Sequence, residues 1–214
     1  QLAHILNNPT SLTKLKKVKH ILIGGADIPE ELVSQLRTHQ ITAYQSYGMT
    51  ETISHVALRE IGEDTTYHAM PGIHFTSQND CLTIHYPEIQ SKPIQTTDIV
   101  GLIDEKSFHW KGRADFVINS GGKKIHPEEL EKRLSSYISG RFILSSIPHP
   151  IWGEALVLLS ELPIALKKET LENKFPTFEI PKFAQTVPMI FTANGKIQRK
   201  LTLEQSQEDA WISL

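Results

Sequence analysis

The sequence lacks the features that stabilise secreted proteins and those that anchor membrane proteins. Its 214 residues contain one cysteine, Cys81, which excludes an intrachain disulfide and a multi-cysteine zinc site within the chain. Its apolar runs are short, as in Ala155–Leu159, whereas a membrane-spanning helix needs about 20 apolar residues. The first residues show no basic region followed by an apolar block, so no signal peptide is predicted. Together these absences predict a protein of the reducing cytoplasm.

The sequence also lacks several charge and motif signatures. Its net charge is −2, so neither a nucleic-acid partner nor an electrostatic membrane anchor is indicated. It contains no G-x-x-x-x-G-K-[ST] loop and no G-x-G-x-x-G fingerprint, which argues against a P-loop nucleotidase and a Rossmann dehydrogenase. Neither the H-E-x-x-H pair of zinc proteases nor the G-x-S-x-G elbow of serine hydrolases occurs.

The first part of the chain reads as helix, strand, helix and strand. Residues 1–17 favour a helix and its lysine-rich exit, with Pro9 closing the first turns, and residues 18–23 favour a short buried strand. A second helix follows, with Asp27 as its N-cap and Pro29 in its first turn. Residues 41–46 predict the next strand. Strand, helix and strand in this order are typical of an open α/β sheet, which binds ligands at the ends of its strands.

The remainder changes from β-rich to mixed structure. Residues 55–98 alternate between short strand patterns and turns, which predicts a small distorted sheet. After Asp115, the turn residues 119–122 predict a hairpin and Pro127 opens a helix with acidic residues in its first turn. The fold class is therefore α/β followed by α+β. The predicted domains are residues 1–114 and 115–214.

The run Tyr47–Thr52 combines an aromatic ring, a glycine, hydroxyls and a carboxylate in adjacent positions. The ring of Tyr47 can stack on a base, and Gly48 lets the backbone approach a ligand. Thr50 and Glu51 can serve phosphate oxygens and Mg²⁺. These properties indicate a nucleotide site, although an ordinary loop after a strand fits the same residues.

Three further stretches follow in order: Thr96–Asp98, then Gly112–Asp115 leading to Gly121–Ile125, and finally Asn194–Arg199. Together with Tyr47–Thr52 they resemble the ATP-dependent adenylate-forming superfamily of acyl-CoA synthetases, peptide-synthetase adenylation domains and luciferases. Within it, the stretch after Thr50 is similar to the o-succinylbenzoate–CoA ligases of menaquinone biosynthesis. The resemblance implies the C-terminal part of a large adenylate-forming domain plus a small mobile C-terminal domain.

The resemblance also implies the reaction. A carboxylate attacks the α-phosphate of ATP to give acyl-adenylate and pyrophosphate, and the thiol of coenzyme A then displaces AMP. The implied ligands are ATP or AMP, Mg²⁺, and coenzyme A as a substrate. An anionic transition state of this kind requires cations held at the phosphate.

The resemblance assigns the catalytic residues as follows. Lys196 bridges the carboxylate and the α-phosphate, which its long stem and compact charge allow, although a plain surface lysine fits the same turn. Glu51 holds Mg²⁺, Thr50 donates to the α-phosphate and Tyr47 stacks on adenine. The lid moves about a hinge at Asp115.

The remaining implied residues contact the nucleotide, the acyl group or coenzyme A. Asp98 accepts from both ribose hydroxyls because a carboxylate offers two acceptor oxygens, although Thr97 replaces a glycine that many members have there. Arg113 donates to ribose or phosphate, or else pairs with a neighbouring carboxylate. The segment Gly121 and Gly122 faces coenzyme A, or else is a plain hairpin turn. Three residues line the adenine and acyl pockets with their backbone: Gly24, Gly25 and Ala26.

Members of the superfamily carry a Ser/Thr/Gly-rich phosphate loop well before the tyrosine motif, and nothing similar precedes Gly24. The chain is therefore expected to be part of a longer or split enzyme, with the N-terminal half as its partner, and to be incompetent alone. Its first residue, a glutamine, is in keeping with this expectation. The alternatives are another acyl- or aryl-CoA synthetase, a domain that loads a carrier protein, and a non-catalytic adenylate-binding module.

Overall fold

The computed structural model describes residues 2–24, 28–164, 168–193 and 195–214. The chain forms two compact units. One comprises the chain up to Thr96 together with Val100–Trp110, and the other comprises Thr97–Ile99 and Lys111–Leu214. The main change of unit, between Trp110 and Lys111, lies near the boundary at residue 115 that the sequence predicts.

The first unit starts with two short helices, α1 (Leu2–Leu6) and α2 (Pro9–Leu15), where the sequence predicts a single helix. The break occurs at Asn8, whose side chain accepts a hydrogen bond from the Ser11 N–H at 3.0 Å and caps α2. Pro9 occupies the first turn of α2, where its missing N–H costs nothing. Pro9 therefore opens a new helix rather than only closing the first.

A strand, a helix and a strand follow as predicted: β1 (Ile21–Ile23), α3 (Glu30–Thr38) and β2 (Ala43–Gly48). The two strands are parallel, with Ile21 opposite Ala43. The N-cap of helix α3 is Pro29, so the predicted cap at Asp27 and the predicted place of Pro29 in the first turn are wrong; Asp27 itself lies outside the described residues. The fully buried Leu36 packs α3 into the core of this part.

Six further strands follow: β3 (His55–Glu60), β4 (Thr66–Ala69), β5 (His74–Gln78), β6 (Cys81–His85), β7 (Ile94–Asp104) and β8 (Ser107–Arg113). Among the described residues, they form one eight-stranded sheet with β1 and β2, in the order β1-β2-β3-β4-β8-β7-β6-β5. Phe75 and Phe108 lie in its core, fully buried and edge to face with ring centroids 5.0 Å apart. The β-rich character predicted for residues 55–98 is confirmed, but the separate small sheet is wrong, because β3 pairs with β2 and so extends the first sheet.

The second unit is a compact α+β module. Its elements are β9 (Ile118–Ser120), β10 (Lys123–Ile125), α4 (Pro127–Leu134), β11 (Phe142–His149), β12 (Gly153–Ser160), α5 (Lys168–Glu172), β13 (Phe183–Thr186), α6 (Arg199–Leu203) and β14 (Ile212–Ser213). The central strand β12 contains the most apolar run of the chain, Ala155–Leu159, which is fully buried between α4 on one face and α6 on the other. In the sheet, β9, β11 and β13 all pair with β12.

The class predicted from the sequence, α/β followed by α+β, is confirmed. In the described parts of the chain, no helix is long and apolar enough to cross a membrane.

Candidate functional site

The first group of candidate residues lies where β1 and β2 end. Because these strands are parallel, Gly24 after β1 and Gly48 at the end of β2 lie at the same edge of the sheet. A Cβ atom at Gly24 would lie 3.0 Å from Ser46 Oγ, so the two strand ends are close together. The predicted lining residues Gly25 and Ala26 lie outside the described residues.

Gly48 is required by close packing of the backbone. A Cβ atom there would lie 2.5 Å from the Ser54 carbonyl oxygen and 2.7 Å from His55 Cα, because the chain folds back to pair Gly48 with His55. Backbone atoms cannot yield to that approach, so only glycine fits.

The residues after Gly48 form a short 3₁₀ turn, Thr50–Thr52, that exposes Thr50 and Glu51. Thr52 is fully buried and fixes this turn. Its hydroxyl accepts from the Met49 N–H at 3.0 Å and donates to a carbonyl oxygen, Ser54 at 2.7 Å or Met49 at 2.9 Å. The hydroxyl and the carboxylate that the sequence assigns to a nucleotide are therefore presented outward from a fixed turn.

Ile53 follows in a strained conformation with φ 62° and ψ −42°. The Ser54 N–H donates to the Thr52 carbonyl at 2.6 Å across it, which makes a γ-turn. A β-branched residue rarely adopts positive φ, and its side chain gains little from burial because it is 80% exposed. The buried bonds of Thr52 hold this conformation.

The ring of Tyr47 is half-buried. It packs edge to face on Phe108, with centroids 5.2 Å apart, and is tilted against Tyr67 at 5.7 Å. These contacts fix the orientation of the ring. Stacking on adenine remains a prediction and needs the part of the ring that the protein leaves open.

In the second unit the structure brings together Asp98, Arg113 and Asp115. Arg113 Nη2 donates to Asp115 Oδ2 at 2.6 Å, and Thr97 Oγ1 donates to the same oxygen at 3.4 Å. The pKa of Arg113 is raised by the hydrogen bond to Asp115 and, in spite of partial burial, by the charge of Asp98. The neighbouring carboxylate that the sequence offers as an alternative partner of Arg113 is thus Asp115. The pair is roughly half-exposed, so it contributes little to stability.

Gly121 and Gly122 form the turn between β9 and β10, with φ of 56° and 76°. The hairpin predicted from the sequence is confirmed. The Gly121 N–H donates to the Trp152 carbonyl at 2.9 Å. The ring of Trp152 stacks on His149 at 4.1 Å, with Lys182 Nζ 5.7 Å from its centroid. Sequence reasoning missed this aromatic face, for which the sequence offers only a single tryptophan three residues after a histidine.

Lys196 lies at an exposed turn whose two arms meet through a bridge between Phe191 and Ile197. The Lys196 N–H donates to Thr192 Oγ1 at 3.0 Å, and the Thr192 N–H donates to the Lys196 carbonyl at 2.8 Å. Gly195 has φ 80°, as the predicted tight turn requires, and Asn194 lies outside the described residues. The lysine therefore projects from a hydrogen-bonded turn.

Arg199, three residues further on, is largely buried. Its guanidinium donates to both carboxylate oxygens of Glu131, each at 2.6 Å, and to the Leu144 carbonyl at 2.9 Å. Its Cζ lies 5.2 Å from the ring centroid of Phe116. Burial opposes the charge of Arg199, but the hydrogen bonds and charge of Glu131 outweigh burial and raise the pKa of Arg199. Sequence reasoning assigned no role to this cluster.

Glu128 lies beside the cluster on α4. Within the described part of the chain its Oε2 is buried without a hydrogen-bond partner, and a Cβ atom on Gly112 would lie 2.6 Å from it. Burial raises the pKa of Glu128, although the charge of Arg199 partly counteracts the rise. Gly112 therefore leaves space for this carboxyl group.

Throughout the described ranges, no group of three or more His, Cys, Asp and Glu side chains could hold a metal ion. A lone exposed carboxylate such as Glu51 still fits Mg²⁺, because this ion commonly takes one or two carboxylates plus the phosphates of its substrate. The first unit contains Gly24, Tyr47, Gly48, Thr50 and Glu51, and the second contains Asp98, Arg113, Asp115, Gly121, Gly122 and Lys196.

Known proteins similar to this chain are found both by sequence and by structure. The chain is 28% identical, over 207 residues, to a 2-succinylbenzoate–CoA ligase of Haemophilus influenzae. The match covers 85% of this chain and 45% of that protein. The structure matches an E. coli MenE variant with bound OSB-AMS, with a TM-score of 0.73, 25% identity and coverage of 94% of this chain and 50% of that one. The chain is related to the adenylate-forming acyl-CoA synthetases. No family model matches it.

The relationship extends to an enzyme with a different acceptor. A 3,4-dihydroxybenzoate–[aryl-carrier protein] ligase of Bacillus anthracis is 27% identical, and the match covers 85% of this chain and 45% of that protein. The chain thus spans about half the length of the curated relatives it matches. This agrees with the expectation that it is a portion of an adenylate-forming enzyme.

Proposed function

We propose that the chain is part of an AMP-forming acid–CoA ligase whose substrate is o-succinylbenzoate. The observation that carries the proposal is the relation to 2-succinylbenzoate–CoA ligase along 85% of the chain. The bound OSB-AMS of the E. coli MenE variant supports the choice of acid.

In the first half-reaction, a carboxylate oxygen of the acid attacks the α-phosphorus of ATP and pyrophosphate leaves. The exposed Thr50 hydroxyl donates to an α-phosphate oxygen, and Lys196 bridges the carboxylate and the α-phosphate. Positive charge at this point matters because the transition state gathers negative charge. Glu51 would hold Mg²⁺, which would supply positive charge at the phosphates.

The nucleoside is held by two sets of residues. Tyr47 stacks on adenine, and Gly24, Gly25, Ala26 and Gly48 let the backbone approach the ligand. Asp98 accepts from the ribose hydroxyls. Arg113, whose guanidinium is hydrogen-bonded to Asp115, donates to ribose or phosphate.

In the second half-reaction the sulfur of coenzyme A attacks the acyl carbon and AMP leaves. We assign the CoA side to the Gly121–Gly122 turn. The stacked face of Trp152 and His149 next to it, with Lys182 over the indole, suits a ligand that carries both an aromatic ring and phosphates. Rotation about Asp115 exchanges the two lid states, because hinges confine backbone rotation to a few residues.

The remaining half of the enzyme supplies the phosphate loop, so the chain needs that half for activity. The partners of the complete enzyme are ATP, a carboxylic acid and coenzyme A, with no role for nucleic acid. The test is mass spectrometry of the products formed from ATP, Mg²⁺, coenzyme A and a panel of acids. The chain alone and the complete enzyme that contains it should be compared.

The B. anthracis relative supports a second candidate, a domain that loads a carrier protein. Formation of o-succinylbenzoyl-CoA by the complete enzyme, and not by the chain alone, supports the ligase. Acyl-adenylate with no CoA ester supports the carrier-loading candidate. If the complete enzyme forms neither product but still binds AMP, the result indicates a non-catalytic adenylate-binding module and contradicts both enzyme candidates.

A further inference from the structure

We propose that Arg199 is a positioning residue for Lys196. Its buried ion pair with Glu131 fixes residues 196–199, here called the lysine arm, which present Lys196 to the reacting phosphate. The inference rests on the proposed function, in which Lys196 acts in adenylation. It concerns Arg199, Glu131 and Phe116, none of which is itself expected to touch a substrate.

The first step is the short connection between the two residues. Lys196 lies at an exposed turn, and Arg199 begins helix α6 on the same arm. Between them, Gln198 ties this arm to the entering one: its backbone N–H donates to the Ile190 carbonyl at 2.8 Å, and its side-chain amide donates to the Phe191 carbonyl at 3.1 Å. A displacement of Arg199 therefore displaces the turn that carries Lys196.

The second step is the anchoring of Arg199 to two other elements. Glu131 on α4 accepts both guanidinium bonds, and its Oε1 also accepts from the Leu144 N–H at 2.5 Å. The Leu144 carbonyl on β11 accepts a further bond from Arg199. The two side chains are only 13% and 16% exposed, so water competes little for these bonds. A planar guanidinium makes this two-pronged contact, whereas a lysine cannot.

The third step leads to the predicted hinge. Phe116, directly after Asp115, lies against the Arg199 guanidinium. Arg199, on the lysine arm, thus contacts both helix α4 and the segment that begins the lid. A lid that turns about Asp115 would carry Lys196 with it as a rigid part. Burying an ion pair is a poor way to gain stability, which favours a role in fixing geometry.

The test uses the complete enzyme and measures the two half-reactions separately. Arg199→Met should lower the rate of acyl-adenylate formation at least tenfold, and thioester formation from supplied acyl-adenylate less than threefold. Because this change leaves Glu131 buried and unpaired, the double variant Arg199→Met with Glu131→Gln removes both charges, while the introduced amide oxygen can still accept from the Leu144 N–H. It should fold normally and show the same split. Arg199→Lys, which keeps the charge, should fall between.

The matched control is Arg133→Met. Arg133 also pairs with a glutamate, Glu179 at 2.8 Å, and also lies over a phenylalanine ring, that of Phe175 at 4.9 Å. Among the contacts that the structure describes, Arg133 makes none with the lysine arm. Arg133→Met should therefore lower both half-reactions by the same factor or by none.

Two further measurements exclude a merely structural role. Introducing Arg199→Met into a Lys196→Ala enzyme should cause no additional loss of adenylation, because Arg199 acts through the lysine. In this chain alone, hydrogen exchange of the Lys196 and Gln198 amides should speed up at least tenfold in the double variant. Exchange of the Leu156–Leu159 amides should not change.

The outcomes separate the inference from the proposed function. Equal losses in both half-reactions, an additive loss on Lys196→Ala, or unchanged exchange at Lys196 would each overturn the positioning role. If exchange at Lys196 is faster in the double variant but the complete wild-type enzyme makes no acyl-adenylate, the anchoring role of Arg199 is supported and the proposed function is refuted.

Discussion

Glu131 and Arg199 lie 68 residues apart in the sequence and share two hydrogen bonds of 2.6 Å between guanidinium and carboxylate. The pair joins helix α4 to helix α6 in the second unit. It also places the arm that carries Lys196 against the residue that follows the predicted hinge, Phe116. Arg199 of this charged pair lies three residues from the candidate catalytic lysine, on the same chain segment.

Lys196→Ala should strongly slow adenylation in the complete enzyme and spare the second half-reaction. Loss of a cation that stabilises developing charge should lower the adenylation rate by about a hundredfold or more. Thioester formation from supplied acyl-adenylate should change less than threefold. Rapid-quench assays of each half-reaction measure this split.

The control for Lys196 is Lys200→Ala, which removes an exposed lysine from α6 and should leave both rates unchanged. Equal loss of both half-reactions in Lys196→Ala would refute the assigned role.

Asp98→Asn should weaken nucleotide binding more than it slows catalysis. Asp98 is only 8% exposed, and its carboxylate is proposed to accept from the ribose hydroxyls. Hydrogen bonds to a charged group contribute about 1.5–3 kcal/mol, so a loss of roughly tenfold or more in ATP affinity is expected. Isothermal titration of ATP into the complete enzyme measures it. Asp209→Asn, an exposed change in the same unit, is the control, and an ATP affinity that Asp98→Asn leaves intact would contradict the assignment.

Glu128→Gln should change how stability depends on pH. The pKa of Glu128 is raised by burial above its ordinary value, so the folded state binds this proton more tightly than the unfolded state. Wild-type stability should therefore fall as pH rises from the ordinary pKa through the folded one. The glutamine variant should lack this fall and be more stable than the wild type at neutral pH.

Urea unfolding of this chain at a series of pH values tests the Glu128 prediction. Glu129→Gln removes the same charge from an exposed neighbour on α4, and should change the free energy of unfolding by no more than about 0.5 kcal/mol. A Glu128→Gln curve parallel to that of the wild type would show that the buried carboxyl group is not responsible.

Thr52→Val should loosen the turn that presents Thr50 and Glu51. The change keeps the shape of the side chain but removes a fully buried hydroxyl that bonds to Met49 and Ser54. Leaving the Met49 N–H without this partner should cost about 1–3 kcal/mol of stability. Thr52→Ser keeps the hydroxyl and should lose less. Thermal unfolding of both variants decides, and a smaller loss in Thr52→Val than in Thr52→Ser would mean that the methyl group, not the hydroxyl, matters.

Local sequence signals predicted much of the fold. Pro127 with acidic residues behind it predicted the start of α4, and the glycines at 121 and 122 predicted the hairpin, because both signals act within a few residues. The split at Asn8 was missed because the apolar spacing continues across it. The sequence therefore predicts helix starts and turns where a few adjacent residues specify them.

The site was only partly predictable. The residues near the ends of β1 and β2 could be grouped because parallel strands end at one edge of a sheet. The pairing of Glu131 with Arg199 could not be found, since nothing in either local sequence selects a partner 68 residues away. The stacking of Trp152 on His149 likewise depends on the turn between β11 and β12, whose shape the sequence does not specify.

The most direct test of the account is o-succinylbenzoate-dependent exchange of labelled pyrophosphate into ATP by the complete enzyme that contains this chain. The account predicts rapid exchange with Mg²⁺ and o-succinylbenzoate present, its loss in Lys196→Ala, and no exchange by the chain alone. An enzyme that binds ATP but catalyses no exchange with o-succinylbenzoate or any other acid would contradict adenylate formation.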